Sequence, residues 1–422
     1  MRLSRSSALL VGMAGITLAT PLHAQSLDAT IAAAMATSPQ LAAAQAREDA
    51  ADAAVSQAQA EHMPTATAQG QYGWGRIDPK GFFGLTADDV SPRSAQVGVD
   101  LPLFTGGRIG AAVAQAKGGR EFAQQAKRAA ELQLRLDVVQ AYSQALTAQQ
   151  QVLSYGKTRD ALEEVLRQSK LMFKAGAATS TDVAQAEARK AEAEAGLAGA
   201  QGNLASALAR LERLAGKPVT PSDDLPPPPP VPASEQAAVE MAVANSPQLA
   251  QARAGATIAQ AAVRGAKAEQ LPTVGAYAEA ATVRDQFFPG YKADSASVGF
   301  RARWNFFAGG RIGSKIEKTE AEARAAEADA RAAEQLVEIH AVQSFAAVNA
   351  ARLMVDATEK SAAATQEALR STRLEVKSGA KPQLALLDAE REALTASMAR
   401  IQAKGNLLVA AYTLRSVTGM DD

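Results

Sequence analysis

The sequence predicts a mainly α-helical protein with a small β part, in which long antiparallel coiled-coil helices join four β-strands. Three observations predict this fold class. Of the 422 residues, 99 are Ala, the residue with the highest helix propensity. The same series of motifs occurs twice along the chain. Thirteen of the 19 aromatic residues fall within residues 72–104 and 277–307. A chain so rich in Ala and so poor in bulky side chains favours closely packed helices over an all-β or Rossmann-type fold.

The charge balance and the absence of cysteine exclude several classes of protein. The 44 basic residues equal the 44 acidic ones in number, so there is no electrostatic basis for binding nucleic acid. With no Cys, the chain lacks a disulfide scaffold, a thiolate metal site, a Cys nucleophile and an N-terminal Cys for lipid attachment. Length alone suggests two or three domains, but the internal repeat favours two copies of one structural unit.

Residues 1–24 have the features of a signal peptide. Arg2 and Arg5 precede an apolar run that ends at Leu22, and a small residue, Ala24, stands at the expected cleavage site. Cleavage there would leave Gln25 as the first mature residue. The alternative is a buried N-terminal helix. No later stretch of about 18 apolar residues could form a transmembrane helix, so we expect an exported protein of the periplasm or the outer membrane.

The rest of the chain consists of two copies of the same series of segments, which are separated by a nearly constant number of residues. The matching pairs of segments are 38–42 with 246–250, 104–110 with 307–313, 174–177 with 377–380, and 202–204 with 405–407. We therefore predict a first structural repeat over residues 25–220 and a second over 233–422. The Pro-rich residues 221–232 would form a polyproline II spacer between them; an SH3-type ligand is the alternative.

Each repeat is predicted to contain the same elements in the same order: a helix, a pair of strands, a very long helix and a further helix. In the first repeat the helices are expected over residues 27–63, 107–173 and 181–214. The long helix and its counterpart, residues 310–376, each span 67 residues without proline. At about 1.5 Å per residue, each helix would be roughly 100 Å long.

A seven-residue spacing indicates how the long helix packs. Leu132, Val139, Leu146 and Leu153 recur at the period of a coiled coil. The two shorter helices of a repeat together contain about as many residues as the long one. Stacked end to end, they would match its height, so that an elongated bundle forms without a globular core.

Strict alternation of polar and apolar residues appears in and beside the two aromatic-rich segments, residues 72–104 and 277–307. It is present in residues 67–74, 95–101 and 298–304. Alternating strands of about ten residues with aromatic girdles are typical of a transmembrane β-barrel. The predicted girdle residues are Tyr72, Trp74, Phe300 and Trp304. Two solvent-exposed hairpins packed on helices are the alternative, but they leave the clustering of the aromatics unexplained.

The number of strands requires more than one chain. Lipid does not tolerate an open sheet edge, so four strands cannot span a membrane alone. Two chains would supply eight strands, whose interior would be filled by side chains. Three chains with twelve strands are the smallest assembly expected to enclose a lumen.

No group of residues indicates catalysis. Of the three His, His23 belongs to the predicted signal peptide, and His62 and His340 lie on unrelated segments. The sequence contains no HExxH zinc motif, no nucleophile elbow and no phosphate loop. We therefore predict no enzyme, no cofactor and no metal site.

In this order and in duplicate, these segments resemble the TolC-like outer membrane efflux proteins (outer membrane factors). The residues that carry the resemblance are the two Ser-Pro-Gln-Leu segments, Pro64 and Pro272, residues 101–107, and the turns 176–182 and 379–388. The resemblance implies a TolC-like fold: a homotrimer with a 12-stranded β-barrel in the outer membrane of a Gram-negative bacterium and a 12-helix α-barrel in the periplasm.

The resemblance also implies the function and the partners. A member of this family is a passive exit duct of a tripartite efflux or type I secretion system. Its partners are outer-membrane lipid, a periplasmic adaptor (membrane fusion) protein and an inner-membrane pump of the RND or ABC type. The competing hypothesis is a periplasmic structural coiled-coil protein without a transport role.

Further, the resemblance implies a periplasmic gate at the two helical turns. Asp182 matches a linking Asp of the family, and Lys381 matches its basic partner. Asp388 matches one acidic ring residue, while Ala385 replaces the other, so a single ring of carboxylates is expected. Asp182 as an ordinary helix cap is the alternative, compatible with a gate role. The expected adaptor-contact tips are Gly176, Ala177, Gly379 and Ala380.

Overall fold

The structure, a computed structural model, describes residues 26–78, 87–222 and 225–420. The predicted signal peptide lies outside these residues. The helices are α1 Leu27–Thr37, α2 Pro39–Ala60, α3 Arg108–Lys174, α4 Ser180–Ala215, α5 Glu235–Asn245, α6 Pro247–Ala268, α7 Arg311–Lys377 and α8 Gln383–Thr418. The strands are β1 Thr65–Tyr72, β2 Gly75–Ile77, β3 Asp88–Val90, β4 Arg93–Phe104, β5 Thr273–Arg284 and β6 Lys292–Arg303. Mainly helical structure with few strands confirms the predicted fold class.

The two long helices, α3 and α7, contain 67 residues each, as predicted, and α4 and α8 contain 36 each. Both long helices begin after a glycine in the left-handed conformation, Gly107 and Gly310. A residue with a Cβ rarely adopts this conformation, which explains why glycine occupies this position in both copies. At about 1.5 Å per residue, α3 and α7 are roughly 100 Å long.

The predicted single helix over residues 27–63 is wrong. Ser38 has extended backbone angles and ends α1, and its hydroxyl accepts a hydrogen bond from the N–H of Leu41 to begin α2. Pro39 is the first residue of α2. A residue before proline is pushed out of the helical region, so the Ser-Pro pair breaks the helix. Ser246 and Pro247 do the same between α5 and α6.

The coiled-coil spacing holds over only part of α3. Leu132, Val139 and Leu146 are buried, but Leu153 is exposed in the chain. No residue of α3 from 149 to 161 is buried, so this part of the helix is less covered within the chain. The largest core cluster surrounds Tyr142 and Leu146. The hydroxyl of Tyr142 also accepts a hydrogen bond from the N–H of Ser222 and thereby fixes the start of the Pro-rich spacer.

The four long strands form one antiparallel sheet in the order β1-β4-β5-β6. Both strands of each repeat are thus present, and the two pairs join through β4 and β5. The short strands β2 and β3 form a separate two-stranded ribbon that the sequence did not predict. All four long strands are attached to helices at the same end of the sheet, which we call the proximal end; the opposite end, with the β5–β6 turn, is the distal end.

Candidate functional site

The sheet has one apolar and one polar face. The register pairs Val97 with Ala68 and with Ala280, and side chains directly opposite one another lie on the same face. Alternation then places Ala66, Val99, Leu101, Ala276, Ala278, Val298 and Phe300 on the apolar face. Since Val97, Val99, Val298 and Phe300 are all exposed, this face has no covering layer within the described chain.

The predicted girdle residues lie at both ends of the sheet. Tyr72 and Trp74 are at the distal end, 66% and 83% exposed, with ring centroids 6.4 Å apart. Phe300 lies toward the proximal end and Trp304 just beyond it, 77% and 59% exposed. At about 3.3 Å per residue, the twelve steps from Lys292 to Trp304 correspond to roughly 40 Å along a strand. Tilted by about 40°, such strands would separate two aromatic bands by about the thickness of a bilayer core.

A charged cluster occupies the polar face near the proximal end, and sequence reasoning missed it. One guanidinium nitrogen of Arg301 lies 3.7 Å from a carboxylate oxygen of Asp100, and the other terminal nitrogen lies 4.0 Å from a carboxylate oxygen of Glu279. The guanidinium carbon of Arg301 also stacks 4.5 Å from the ring centroid of Tyr277. These contacts connect β4, β5 and β6, so the polar face is held together by charge while the opposite face remains apolar.

The two predicted tips have the same backbone geometry. Gly176, in the left-handed conformation, donates to the carbonyl of Phe173, and Ala177 donates to the carbonyl of Met172. Gly379 and Ala380 donate in the same way to Val376 and Glu375. This pair of hydrogen bonds is the Schellman motif, which satisfies the last carbonyl groups of a helix and reverses the chain. Both tips are therefore compact, glycine-closed turns.

Asp182 caps α4. Its carboxylate accepts hydrogen bonds from the backbone N–H and the hydroxyl of Thr179, both at 2.8 Å, and its own N–H donates to that hydroxyl at 3.2 Å. This reciprocal arrangement is a capping box. The backbone hydrogen bond from Thr179, followed by the hydroxyl hydrogen bond, lowers the pKa of Asp182 below its ordinary value. The second repeat has Pro382 and Ala385 at the corresponding positions, and α8 has no side-chain cap.

Lys381 has its partner within its own turn. Its ammonium group lies 2.8 Å from a carboxylate oxygen of Glu375, a residue in the last turn of α7. Within a single chain, Asp182 and Lys381 are thus each paired locally. The predicted polar link between them stays a prediction about contacts between neighbouring chains.

Asp388 lies between two guanidinium groups that sequence reasoning did not connect with it. One of its carboxylate oxygens is 3.7 Å from Arg189 of α4 and 3.8 Å from Arg391 of α8. Arg189 also contacts Glu192 at 2.9 Å. The spacing from Asp388 to Arg391 could have been noticed in the sequence as an i,i+3 pair. The contact with Arg189 depends on how α4 and α8 are rotated toward each other.

Among the residues that the structure describes, no group of three or more His, Cys, Asp or Glu is arranged to hold a metal ion. Likewise, no helix in the described ranges is both long and apolar enough to cross a membrane.

A comparison with known protein families identifies the family of this chain. The sequence profile of the family described as Outer membrane efflux protein matches residues 30–217 and 238–420, one match in each half of the chain. The chain belongs to the outer membrane efflux protein family. The resemblance inferred from the duplicated segments is thereby confirmed.

Two curated proteins are similar to this chain over part of its length. The chain is 27% identical over 304 residues to the proteases secretion protein PrtF of Dickeya chrysanthemi, covering 69% of this chain and 65% of PrtF. It is 26% identical over 271 residues to the outer membrane efflux protein BepC of Brucella suis, covering 62% of this chain and 58% of BepC. The chain thus spans less than two thirds of the length of either relative.

Solved structures of outer membrane proteins share the fold. The Campylobacter jejuni CmeC outer membrane channel superimposes with a TM-score of 0.82 at 15% identity, covering 93% of this chain and 85% of CmeC. VceC, an outer membrane protein of Vibrio cholerae, superimposes with a TM-score of 0.79 at 19% identity, covering 93% of this chain and 96% of VceC. The TolC-like architecture therefore covers nearly the whole chain.

Proposed function

We propose that three copies of this chain form a passive duct through the outer membrane, which serves as the exit of a tripartite efflux or type I secretion system. The observation that carries the proposal is the four-stranded sheet with an exposed apolar face. Within the described chain, its edge strands β1 and β6 each have one side without a partner strand. Open edges are not tolerated in lipid, and three sheets joined edge to edge close a twelve-stranded barrel.

The helices give the proposed duct its length. The α3 and α7 helices extend roughly 100 Å from the sheet, and the tips at their far ends would reach across the periplasm toward an inner-membrane pump of the RND or ABC type. The duct would be exported by a signal peptide cleaved after Ala24. Family membership supports an outer-membrane location, and the relatives PrtF and BepC are named for protease secretion and for efflux.

Membrane fractionation and single-channel recording test the duct. The full chain is expected in the outer-membrane fraction, as a trimer that dissociates on heating in detergent, with a mature N-terminus at Gln25. The purified trimer should conduct ions in planar bilayers. A monomer in the soluble periplasmic fraction that conducts no current would instead establish the structural coiled-coil alternative.

The adaptor is proposed to dock at the two tips. Gly176, Ala177, Gly379 and Ala380 are all exposed, and several large apolar side chains beside them are exposed as well: Leu171, Met172, Phe173, Leu374 and Leu384. A small exposed turn next to apolar side chains suits docking against the tip of another helical hairpin.

The absence of native Cys allows a clean crosslinking test of this contact. Ala177→Cys and Ala380→Cys are expected to crosslink to the cognate adaptor in cells, whereas Ala209→Cys, an exposed position far along α4, is not. Equal yields at all three positions would contradict docking at the tips.

A further inference from the structure

A row of basic residues crosses the distal end of the sheet. The register places Arg93 of β4 directly opposite Arg284 of β5, and Arg284 directly opposite Lys292 of β6. On the other side of Arg93, the row ends with Tyr72 of β1. Adjacent strands lie about 4.8 Å apart, so the Cα atoms of the three cationic residues fall within about 10 Å. We call Arg93, Arg284 and Lys292 the distal basic row.

The distal basic row lies on the apolar face. Arg93 is two residues before Ala95 and four before Val97, and Lys292 is two residues before Asp294 and six before Val298. Because side chains alternate between faces, each of these sets shares one face of its strand. The row therefore forms the distal border of the surface that would contact lipid. Aromatic rings of the β5–β6 turn, Phe287 and Tyr291, lie just beyond it, with centroids 5.0 Å apart.

Arg284 donates hydrogen bonds to the carbonyls of Val283 and Ala293 and to Asp294, but it lies between two further cations, Arg93 and Lys292. Like charges directly opposite one another destabilise paired strands. Two acidic groups compensate part of the charge: Asp294 lies 2.8 Å from Arg284, and Asp285 lies 3.9 Å from Arg93. Among the described residues, no acidic group is within ion-pair distance of Lys292. The row thus keeps an excess of positive charge at an exposed site.

We propose that the distal basic row binds the phosphate groups of phosphorylated glycolipids in the outer leaflet of the outer membrane. Guanidinium and ammonium groups are the usual protein donors to phosphate, and basic residues at the edge of an apolar surface recognise anionic lipid headgroups. The proposal rests on the proposed function, which places the apolar face in the membrane and the distal end at the outer surface. It adds a particular headgroup chemistry and three residues.

A headgroup fits this surface better than a dissolved anion. The apolar residues that continue from the row along the same strands would contact the acyl chains of the same lipid. Tyr72, beside Arg93, is suited to the boundary between chains and headgroups, where Tyr and Trp are enriched. A free anion would use only the charges and would gain nothing from this apolar surface.

Lipid binding by variants of the full-length protein tests the proposal. The purified protein in detergent is titrated with diphosphorylated lipid A and, separately, with lipid A from which both phosphates have been removed. The Arg93→Gln/Lys292→Gln variant should bind diphosphorylated lipid A about tenfold more weakly than the wild type, since each basic residue near an anionic surface contributes several-fold. Both proteins should bind the dephosphorylated lipid equally.

Two further variants exclude trivial causes. Arg76→Gln/Arg303→Gln removes the same charge from the ribbon and from the polar face, outside the row, and should bind like the wild type. The charge-preserving Arg93→Lys/Lys292→Arg variant should bind within about twofold of the wild type. Each variant should form trimers that dissociate on heating in detergent, and this behaviour verifies that the variant folds.

Three results would overturn the inference. They are unchanged lipid A binding by the Arg93→Gln/Lys292→Gln variant, an equal loss in the Arg76→Gln/Arg303→Gln variant, and displacement of lipid A by equimolar inorganic phosphate. Single-channel conductance of the wild type is recorded in parallel. If the protein conducts ions but substitutions in the distal basic row leave its lipid binding unchanged, only this inference fails. If the protein neither inserts into the bilayer nor conducts ions, the proposed function fails.

Discussion

Arg373 of α7 donates a hydrogen bond of 2.6 Å to Glu390 of α8, whose side chain is only 6% exposed. At the corresponding positions of the first repeat, Lys170 and Glu187 form an ion pair of 2.7 Å, with both side chains about half exposed. Each pair connects the two helices of one tip, and the two pairs differ chiefly in the burial of the carboxylate.

We expect Arg373→Ala to destabilise its tip more than Lys170→Ala. Removing Arg373 leaves a buried carboxylate without its cation and, since Arg373 itself is partly exposed, should cost about 2 kcal/mol. Removing Lys170 breaks an exposed pair and should cost at most about 0.5 kcal/mol. Hydrogen exchange of peptides from the first half of α8 and of α4 measures the two losses. Equal losses would show that burial of Glu390 is irrelevant.

The environment of Asp388 changes the ion selectivity expected of the predicted gate. In each chain, Asp388 and Glu192 are balanced by Arg189 and Arg391, so a trimer would carry a neutral ring and not three bare carboxylates. Asp388→Ala would leave one excess positive charge per chain and should shift the reversal potential in a salt gradient toward anion selectivity.

The control for the gate is the opposite change in charge at the same place. Arg391→Ala removes one positive charge per chain and should shift the reversal potential toward cation selectivity. If neither variant shifts the reversal potential, these residues do not line the narrow part of the duct.

The sequence predicted the structural features that depend on residues close together in the chain. The ends of α3 and α7 follow from local glycines such as Gly107 and Gly176, and the length of the helices follows from the absence of proline between them. The break before Pro39 is also a local signal, because proline disfavours a helical conformation of the residue before it. The contact of Asp388 with Arg189, by contrast, depends on the relative rotation of two helices.

The pairing of strands is the second feature that local signals leave open. Arg93, Arg284 and Lys292 become neighbours only when β4 pairs with β5 in one register, because a one-residue slip would turn each side chain to the other face. The alternating pattern therefore predicted the apolar face but not the basic row at its border. Likewise, nothing local connects Arg301 with Asp100.

The cap at the first tip should depend on pH. Because the pKa of Asp182 is lowered in the folded state, its contribution to stability is fully present above the ordinary Asp value of 3.8 and is lost as the pH falls through the lowered value. Exchange of the first turn of α4, corrected for intrinsic rates, should therefore accelerate on acidification across this range. Asp182→Asn should remove most of this dependence.

The second tip supplies the matched test of the cap. Its first turn begins after Pro382 and has no capping box, so the Pro382→Thr/Ala385→Asp variant would recreate the pattern of Thr179 and Asp182. We expect slower exchange in the first turn of α8, since a cap of this kind contributes about 1 kcal/mol. An unchanged exchange rate would mean that tertiary contacts, and not the cap, determine the local stability of these helix ends.

Gly405 and its repeat equivalent Gly202 should respond in opposite ways to the same substitution. A Cβ on Gly405 would lie 2.9 Å from the hydroxyl oxygen of Thr147 and 3.0 Å from the hydroxyl oxygen of Ser143. The Ser143 hydroxyl also donates a hydrogen bond to the carbonyl of Gly405. A Cβ on Gly202, by contrast, would have no neighbouring atom within 4 Å. Gly202→Ala should stabilise the protein by up to about 1 kcal/mol through helix propensity. Gly405→Ala should lose about 1–2 kcal/mol, because crowding at the α3–α8 contact exceeds that gain. Thermal unfolding of both variants in detergent measures the difference, and stabilisation by both would disprove close packing of α8 on α3 at this glycine.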